Sequence, residues 1–367
     1  MNLHDLRTPA FVVDLPRFQA NCRMARETAQ RLGVRLRPHV KTHKTLEGAR
    51  LQLGAPAGPI TVSTLAEAEF FVQAGFTDIT YAVAPTPAKL EDLVRLARRV
   101  ERLNLVTDQP ELLPALEDAA RRLGRPWDLF LKVDCGNRRM GVQPEASEAL
   151  TTAQTFASSS GVRLRGLLTH AGQAYGVTDP AQKREIAVWE GRCLVEFAAR
   201  LRAAGIPCEE VSVGSTPTLV HAPERLPGVT EIRPGNYVFF DLQQLASGNC
   251  TVDRIAGFVL ASVIGVYPEQ RRAVIDAGAL ALSKDAVSGP RPVYARVAEH
   301  PVLEVTGVSQ EHGIVTSPEE FDFRRLRVGE RVRLIPAHSC LAAATFPHYF
   351  VVEGERVVDR WVPVRGW

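Results

Sequence analysis

The chain has 367 residues, 45% of them hydrophobic and 23% charged, with a formal net charge of +3, so it can bury one large core or two moderate ones. A near-neutral balance with no concentrated basic footprint argues against nucleic acid as the main partner, and no apolar run reaches the ~18 residues a membrane span needs. The start Met1-Asn2-Leu3-His4-Asp5 lacks the regions of a secretory signal, and the cysteines (Cys22, Cys135, Cys193, Cys208, Cys250, Cys340) lack paired spacing; a cytoplasmic protein with reduced thiols is expected.

In chain order, a strand is expected at Ala10–Asp14. A helix follows from Pro16 to Leu32, where Phe18, Met24, Ala25, Ala29 and Leu32 recur at helical spacing before Gly33 stops it. The next strand runs into Arg37-Pro38-His39-Val40-Lys41-Thr42-His43-Lys44-Thr45. If that run is extended, His39, Lys41 and His43 share one face, with Val40 and Thr42 on the other. An amine and two imidazoles on one face are costly in a core and suit either a ligand cavity or a solvated strand end. A primary amine so placed is the group that forms a Schiff base with an aldehyde.

Short apolar strands then recur at Ile60–Ser63, Ile79–Val83, Leu103–Thr107, Leu129–Asp134, Leu164–His170, Val211–Val213 and Thr230–Arg233, with helical stretches between them. Thr64-Leu65-Ala66-Glu67 reads as a capping box. Eight strand-then-helix units predict a (β/α)8 TIM-like barrel in preference to an open doubly wound sheet. Near Phe239 the texture changes to strands and turns (Val259–Val266, Ala273–Asp276, Arg331–Ile335, Tyr349–Val352), which predicts a C-terminal β domain. The expected division is 1–15, a strand packing with the β domain; 16–238, the barrel; and 239–367, the β domain.

Barrel enzymes carry their sites at the carboxyl ends of the strands. That rule gathers Lys41, Asp134 to Gly141, His170, Gly214-Ser215-Thr216-Pro217-Thr218 and Arg233 to Tyr237 around one mouth. A Gly-Ser-Thr turn feeding a helix offers N–H groups and hydroxyls to a phosphate, although many such turns bind nothing. A phosphate cradle beside a reactive amine points to pyridoxal phosphate. In the β domain His338 and Cys340 lie two apart at an expected strand end, so both point the same way, and imidazole with thiolate suits zinc. Two protein ligands would leave positions open to water and substrate.

Arg37 to Thr45, Ser63-Thr64-Leu65-Ala66-Glu67, Gly214 to Thr218 and Pro336-Ala337-His338-Ser339-Cys340 together resemble the metal-dependent D-serine dehydratase and D-threonine aldolase family of alanine racemase-like, fold-type III pyridoxal phosphate enzymes. The resemblance implies that Lys41 forms the Schiff base, that Gly214, Ser215, Thr216 and Tyr237 hold the phosphate, and that His170 lies by the ring. Arg139 would sit near the phenolic oxygen, and Tyr175 or Arg165 would face the pyridine nitrogen. His338 and Cys340 would hold zinc or another divalent metal. It also implies a homodimer in which the β domain of one chain closes the barrel mouth of the other. Glu311 and His312 read either as site residues or as a polar turn, and Asp276, Ala277, Gly278 and Lys284 as structural.

The activity so implied is removal of water from D-serine or a related 3-hydroxy D-amino acid, giving a 2-oxo acid and ammonia. The alternative is D-threonine aldolase chemistry, in whose branch the resemblance implies an aspartate as the second metal ligand. An amino-acid racemase needs bases on both faces and no metal, and a non-catalytic pyridoxal phosphate carrier lacks the β domain.

Overall fold

The computed structural model describes Met1 to Trp367, which divide into two units: Met1–Cys22 with Asn236–Pro363, and Arg23–Gly235 with Val364–Trp367. Strand β1 (Ala10–Asp14) opens the chain and belongs to the first unit. In the second unit β2 (Arg35–Leu36), β3 (Ile60–Val62), β4 (Asp78–Tyr81), β5 (Arg102–Thr107), β6 (Trp127–Lys132), β7 (Val162–Leu168), β8 (Glu210–Val213) and β9 (Glu231–Ile232) are all parallel, in the order β2-β9-β8-β7-β6-β5-β4-β3. A parallel bridge between His39 and Thr61 joins the two ends of that row, so the sheet closes as a barrel.

Helices alternate with the strands because each carries one apolar stripe: in Leu90–Ala97 the buried residues are Leu90, Leu93, Val94, Leu96 and Ala97. Thr45 and Thr64 cap their helices by accepting from Gly48 N and Glu67 N. Glu67 reaches back to Ser63 N at 2.7 Å, one residue earlier than a strict capping box would have it. No helix is long and apolar enough to cross a membrane.

The first unit is antiparallel apart from one pairing. Strands β10 (Gly257–Tyr267), β11 (Arg272–Ile275), β12 (Ala295–Val297), β13 (Glu304–Val308), β14 (Gly313–Thr316) and β15 (Arg331–Pro336) form the ring β10-β11-β14-β13-β12-β15, which returns to β10. β1 pairs antiparallel with β10 and parallel with β16 (Tyr349–Glu353), and β17 (Arg356–Trp361) completes the edge. The rings of Phe239 and Tyr349 lie 5.3 and 4.9 Å from that of Phe11, centroid to centroid, and seal this core.

Candidate active site

Lys41 sits on a single 3-10 turn, Val40–Thr42, and not on a strand. β2 ends at Leu36, and backbone pairing carries on only as far as His39, whose N donates to Pro234 O at 2.9 Å. His39 then caps the turn, its Nδ1 accepting from Lys41 N at 3.5 Å. The shared face expected of His39, Lys41 and His43 is therefore replaced by a divergence. His43 is buried and neutral: Nδ1 accepts from Thr45 N at 3.0 Å, so Nε2 carries the proton and donates to Gln52 Oε1 at 2.9 Å. Burial holds its pKa down at about 4 despite those bonds. Lys44, at φ 56, turns to the buried Glu67 at 2.9 Å, which leaves Lys41 as the exposed amine of the run. Gly235 passes so close that a Cβ there would lie 3.0 Å from His39 O.

Basic side chains gather around this turn. His170 follows β7, and burial, then Lys41, Lys132, Arg139 and Arg233, push its pKa well below the usual imidazole range. His39 is driven the same way by burial, Lys41, Arg233 and His170. Lys132, the last residue of β6, is nearly buried, and burial with Arg233 and Arg139 lowers it to about 7. Arg233 is lowered by burial to about 10; it donates to Thr169 O, Val213 O and Ser212 Oγ. Arg139 lies exposed on the loop after β6.

The turn after β8 is built tightly. Gly214 has φ +107, and a Cβ there would come 3.0 Å from Arg233 N, so a side chain is excluded on both counts. Ser215 caps the helix Thr216–Val220: its Oγ accepts from Thr218 N, and its N donates to Thr218 Oγ1 at 2.9 Å. Thr216 N donates to Tyr175 Oη at 3.4 Å, and the Tyr175 ring lies 6.3 Å from that of His170. Behind the turn Glu190 accepts from Gly214 N at 3.2 Å; burial raises its pKa to about 7 against donors from Thr218, Gly214 and Ala171. Tyr237, fully buried, belongs to the other unit, on the 3-10 turn Asn236–Val238.

Arg165 does not reach this end. It pairs with Glu209 at 3.0 Å and Glu210 at 3.2 Å, in a network that also holds Arg35, Arg37, Asp78, Arg102 and Glu231. Asp78, Arg102, Glu210 and Glu231 each begin a strand, so the network closes the amino end of the barrel. As a partner for a ring at the carboxyl end, Arg165 is ruled out by position, whereas Tyr175 stands beside His170 and the turn after β8.

In the first unit His338 and Cys340 straddle a helix start instead of a strand end: His338 is the N-cap of Ser339–Ala344 and Cys340 lies in its first turn. The side chains still meet. Burial alone would lower His338, but the hydrogen bond and charge of Cys340, then Asp241 and Asp285, outweigh it and raise the imidazole to about 10. His338 Nδ1 lies 2.7 Å from Asp285 Oδ2, and Asn236 Nδ2 donates to Cys340 Sγ at 3.4 Å. Asp241 Oδ2 accepts from Asn236 Nδ2, Ser339 N and Ser339 Oγ. No cluster of three or more His, Cys, Asp or Glu side chains stands ready for a metal, so the pair is two ligands and no more. Glu311 and His312 are exposed on the turn between β13 and β14, where Ser309 N donates to His312 O. Asp276 accepts from Thr8 Oγ1 and Ser262 N, a structural role.

Sequence reasoning did not single out Lys132 or Glu190. The signal for Lys132 was legible, a charge that directly follows the apolar run Leu129-Phe130-Leu131; Glu190 lies within the long helix Pro180–Ala203, where nothing in the spacing marks it.

Residues 13–243 match the family model for the alanine racemase N-terminal domain, and residues 256–352 match that for a putative serine dehydratase domain. The chain is 39% identical to D-threo-3-hydroxyaspartate dehydratase of Delftia sp. HT23, over 99% of this chain and 98% of that one. It is 33% identical to D-serine dehydratase of Dictyostelium discoideum (100% and 98% covered) and 32% to D-threonine aldolase of Arthrobacter sp. (98% and 93%). A cysteine-to-alanine variant of D-threo-3-hydroxyaspartate dehydratase, solved in a metal-free form, superposes with a TM-score of 0.94 over the whole of both chains. The chain belongs to the alanine racemase-like serine dehydratase family of pyridoxal phosphate lyases. Its barrel fits that family's cofactor. Lys41, Arg139, Arg233 and the partly charged Lys132 crowd a neutral His170 and call for an anion among them, and the Gly214 turn has room for no side chain of its own. The other unit's pair fits a metal. A thiol and an imidazole in contact are donors of the kind that hold zinc, and the Asp285 carboxylate stands behind the imidazole.

Proposed function

We propose that the protein is a pyridoxal phosphate- and zinc-dependent dehydratase of D-serine or a related 3-hydroxy D-amino acid, releasing a 2-oxo acid and ammonia. The observation that carries this reading is the contact of His338 with Cys340, an imidazole and a thiol joined outside any larger ligand cluster. Hydroxide leaves poorly, so elimination of a 3-hydroxyl calls for a Lewis acid on that oxygen, and this donor pair suits zinc while leaving it open positions. When bound, pyridoxal phosphate supplies an electron sink for the pair released at Cα, and zinc supplies positive charge at the departing oxygen. Lys41 holds the cofactor aldehyde and, once substrate displaces it, takes the proton from Cα. Arg139, His170 and Tyr175 bind around the ring; Gly214, Ser215, Thr216 and Tyr237 hold the phosphate. In this reading residues 16–238 are the cofactor domain, residues 239–367 with the strand in 1–15 form the metal-bearing domain, and the working form is a cytoplasmic homodimer.

Retro-aldol cleavage is the second reading, supported by the 32% identity to a D-threonine aldolase. Both reactions use a metal at the same oxygen, but cleavage keeps that oxygen and removes its proton. The test is a single comparison: enzyme loaded with pyridoxal phosphate and zinc, given D-serine, D-threonine or D-threo-3-hydroxyaspartate, scored for 2-oxo acid plus ammonia against glycine. Faster glycine release overturns the dehydratase reading.

A further inference from the structure

We infer that Asp285 is the positioning residue of the metal site, fixing the tautomer and direction of His338 so that Nε2 is left to coordinate. The inference rests on the proposed zinc reading and concerns a residue that does not itself ligate. Its basis is geometric. Asp285 Oδ2 and His338 Nδ1 are 2.7 Å apart, and an ionised carboxylate only accepts, so Nδ1 keeps its proton and Nε2 is the nitrogen that gives up its own when a metal binds. A carboxylate on the far nitrogen of a ligating imidazole raises its basicity and holds the ring, the arrangement that recurs behind metal-bound histidines.

Asp285 is not a loose surface acid that happens to lie near. Its own N donates to Ser283 Oγ at 3.1 Å, and Ser283 takes φ 67 with ψ -177, a conformation almost confined to glycine that serine adopts only at some strain. The next residue is tied as well, Ala286 O accepting from Gln243 Nε2 at 3.5 Å, while Gln243 N donates to Ala337 O at 3.1 Å. The segments carrying the carboxylate and the imidazole are thus both stitched to the short helix Leu242–Ala246. Asp241 caps that helix through Gln244 N and also holds Ser339 N. An exposed ion pair alone would need no such framework, since its worth is about 0–1 kcal/mol.

The test uses the full chain loaded with pyridoxal phosphate, stripped of metal, and titrated with zinc against a chromophoric chelator. Asp285→Ala is expected to bind zinc about 10- to 100-fold more weakly than the parent. Asp285→Asn, whose amide oxygen still accepts from Nδ1, should fall between, and Glu353→Ala, which removes a surface ion pair with Arg356, should match the parent. Turnover of both Asp285 variants should recover at saturating zinc, with the half-saturating concentration shifted by the same factor. Cofactor absorbance checks that each variant is folded, and the milder Asp285→Asn keeps the comparison alive if Asp285→Ala is not. Zinc affinity of Asp285→Ala within twofold of the parent overturns the inference while leaving the zinc reading intact. A parent that takes up no zinc overturns both.

Discussion

Replacing Glu231 by Gln tests the framework that aims the strand into the Lys41 turn. Glu231 is fully buried, with Arg37 Nε and an Arg35 guanidinium nitrogen each 2.8 Å from Oε2 and the Ser212 hydroxyl 2.6 Å from Oε1. Burial would raise its pKa, but Arg37 and Arg35 override it and hold the carboxyl at about 2, against an ordinary 4.5. At about 1.4 kcal/mol for each tenfold change in proton affinity, that difference is worth about 3 kcal/mol, the low end of what breaking a buried pair costs. Arg37 is itself fully buried and would keep only Asp78, at 2.7 Å. With an unfolding entropy of about 2.1 cal/mol/K per residue, Glu231→Gln should lower Tm by about 4 °C at pH 7 if the chain melts in one transition. The sign with pH is fixed: a depressed carboxylate stabilises above its unfolded pKa, and that contribution disappears as pH falls through the folded value. Parent and variant should therefore converge between pH 4.5 and pH 2. A variant within 1 kcal/mol of the parent at pH 7, or a gap undiminished at pH 2, would refute the reasoning.

Lys41→Ala should abolish turnover and the visible absorbance of bound cofactor, whereas Lys44→Ala, which removes only the partner of Glu67, should keep both; borohydride-trappable colour in Lys41→Ala would sink the assignment. A Ser215→Ala, Thr216→Ala double variant should bind pyridoxal phosphate at least about tenfold more weakly in equilibrium dialysis, since each hydrogen bond to a charged group is worth about 1.5–3 kcal/mol. Lys132 has a folded pKa of about 7, below its ordinary 10.5, so the cofactor-free protein should gain stability as pH rises from 7 to 10.5, and Lys132→Met should flatten that rise in thermal melts. Chelation should stop dehydration and added zinc should restore it; full activity after complete metal removal, verified by elemental analysis, would discard the metal.

The alternation of strand and helix was legible because most barrel strands are apolar runs that end up buried, β3, β6 and β8 along their whole length. At the candidate site the Arg37–Thr45 run stood out by its lysines, and the fold sets Lys41 apart as the exposed amine of that run. The site was illegible where a local turn overrode alternation. Period-two reasoning put His43 beside Lys41, but the extended run ended at His39 and the 3-10 turn sent His43 inward to Gln52. The same limit applied at His338 and Cys340, read as neighbours on a strand although they meet across a helix cap. Asp285 is remote in sequence from His338, and only the folded chain brings them together.

The donor set at His338 and Cys340 also bears on which bond breaks. A thiolate is a softer donor than the aspartate expected in the aldolase branch, so it narrows the site toward zinc and away from manganese or magnesium. Asn236 Nδ2 directed at Cys340 Sγ withdraws electron density from that sulfur, which leaves more positive charge on whatever ion it holds. A 3-hydroxyl leaving as hydroxide gains from that residual charge throughout its departure. A 3-hydroxyl that stays needs only to lose its proton, a task for a base as much as for a metal. The cysteine and its amide donor therefore favour the reaction in which the oxygen departs, whereas the carboxylate behind the histidine strengthens that ligand and serves metal affinity instead.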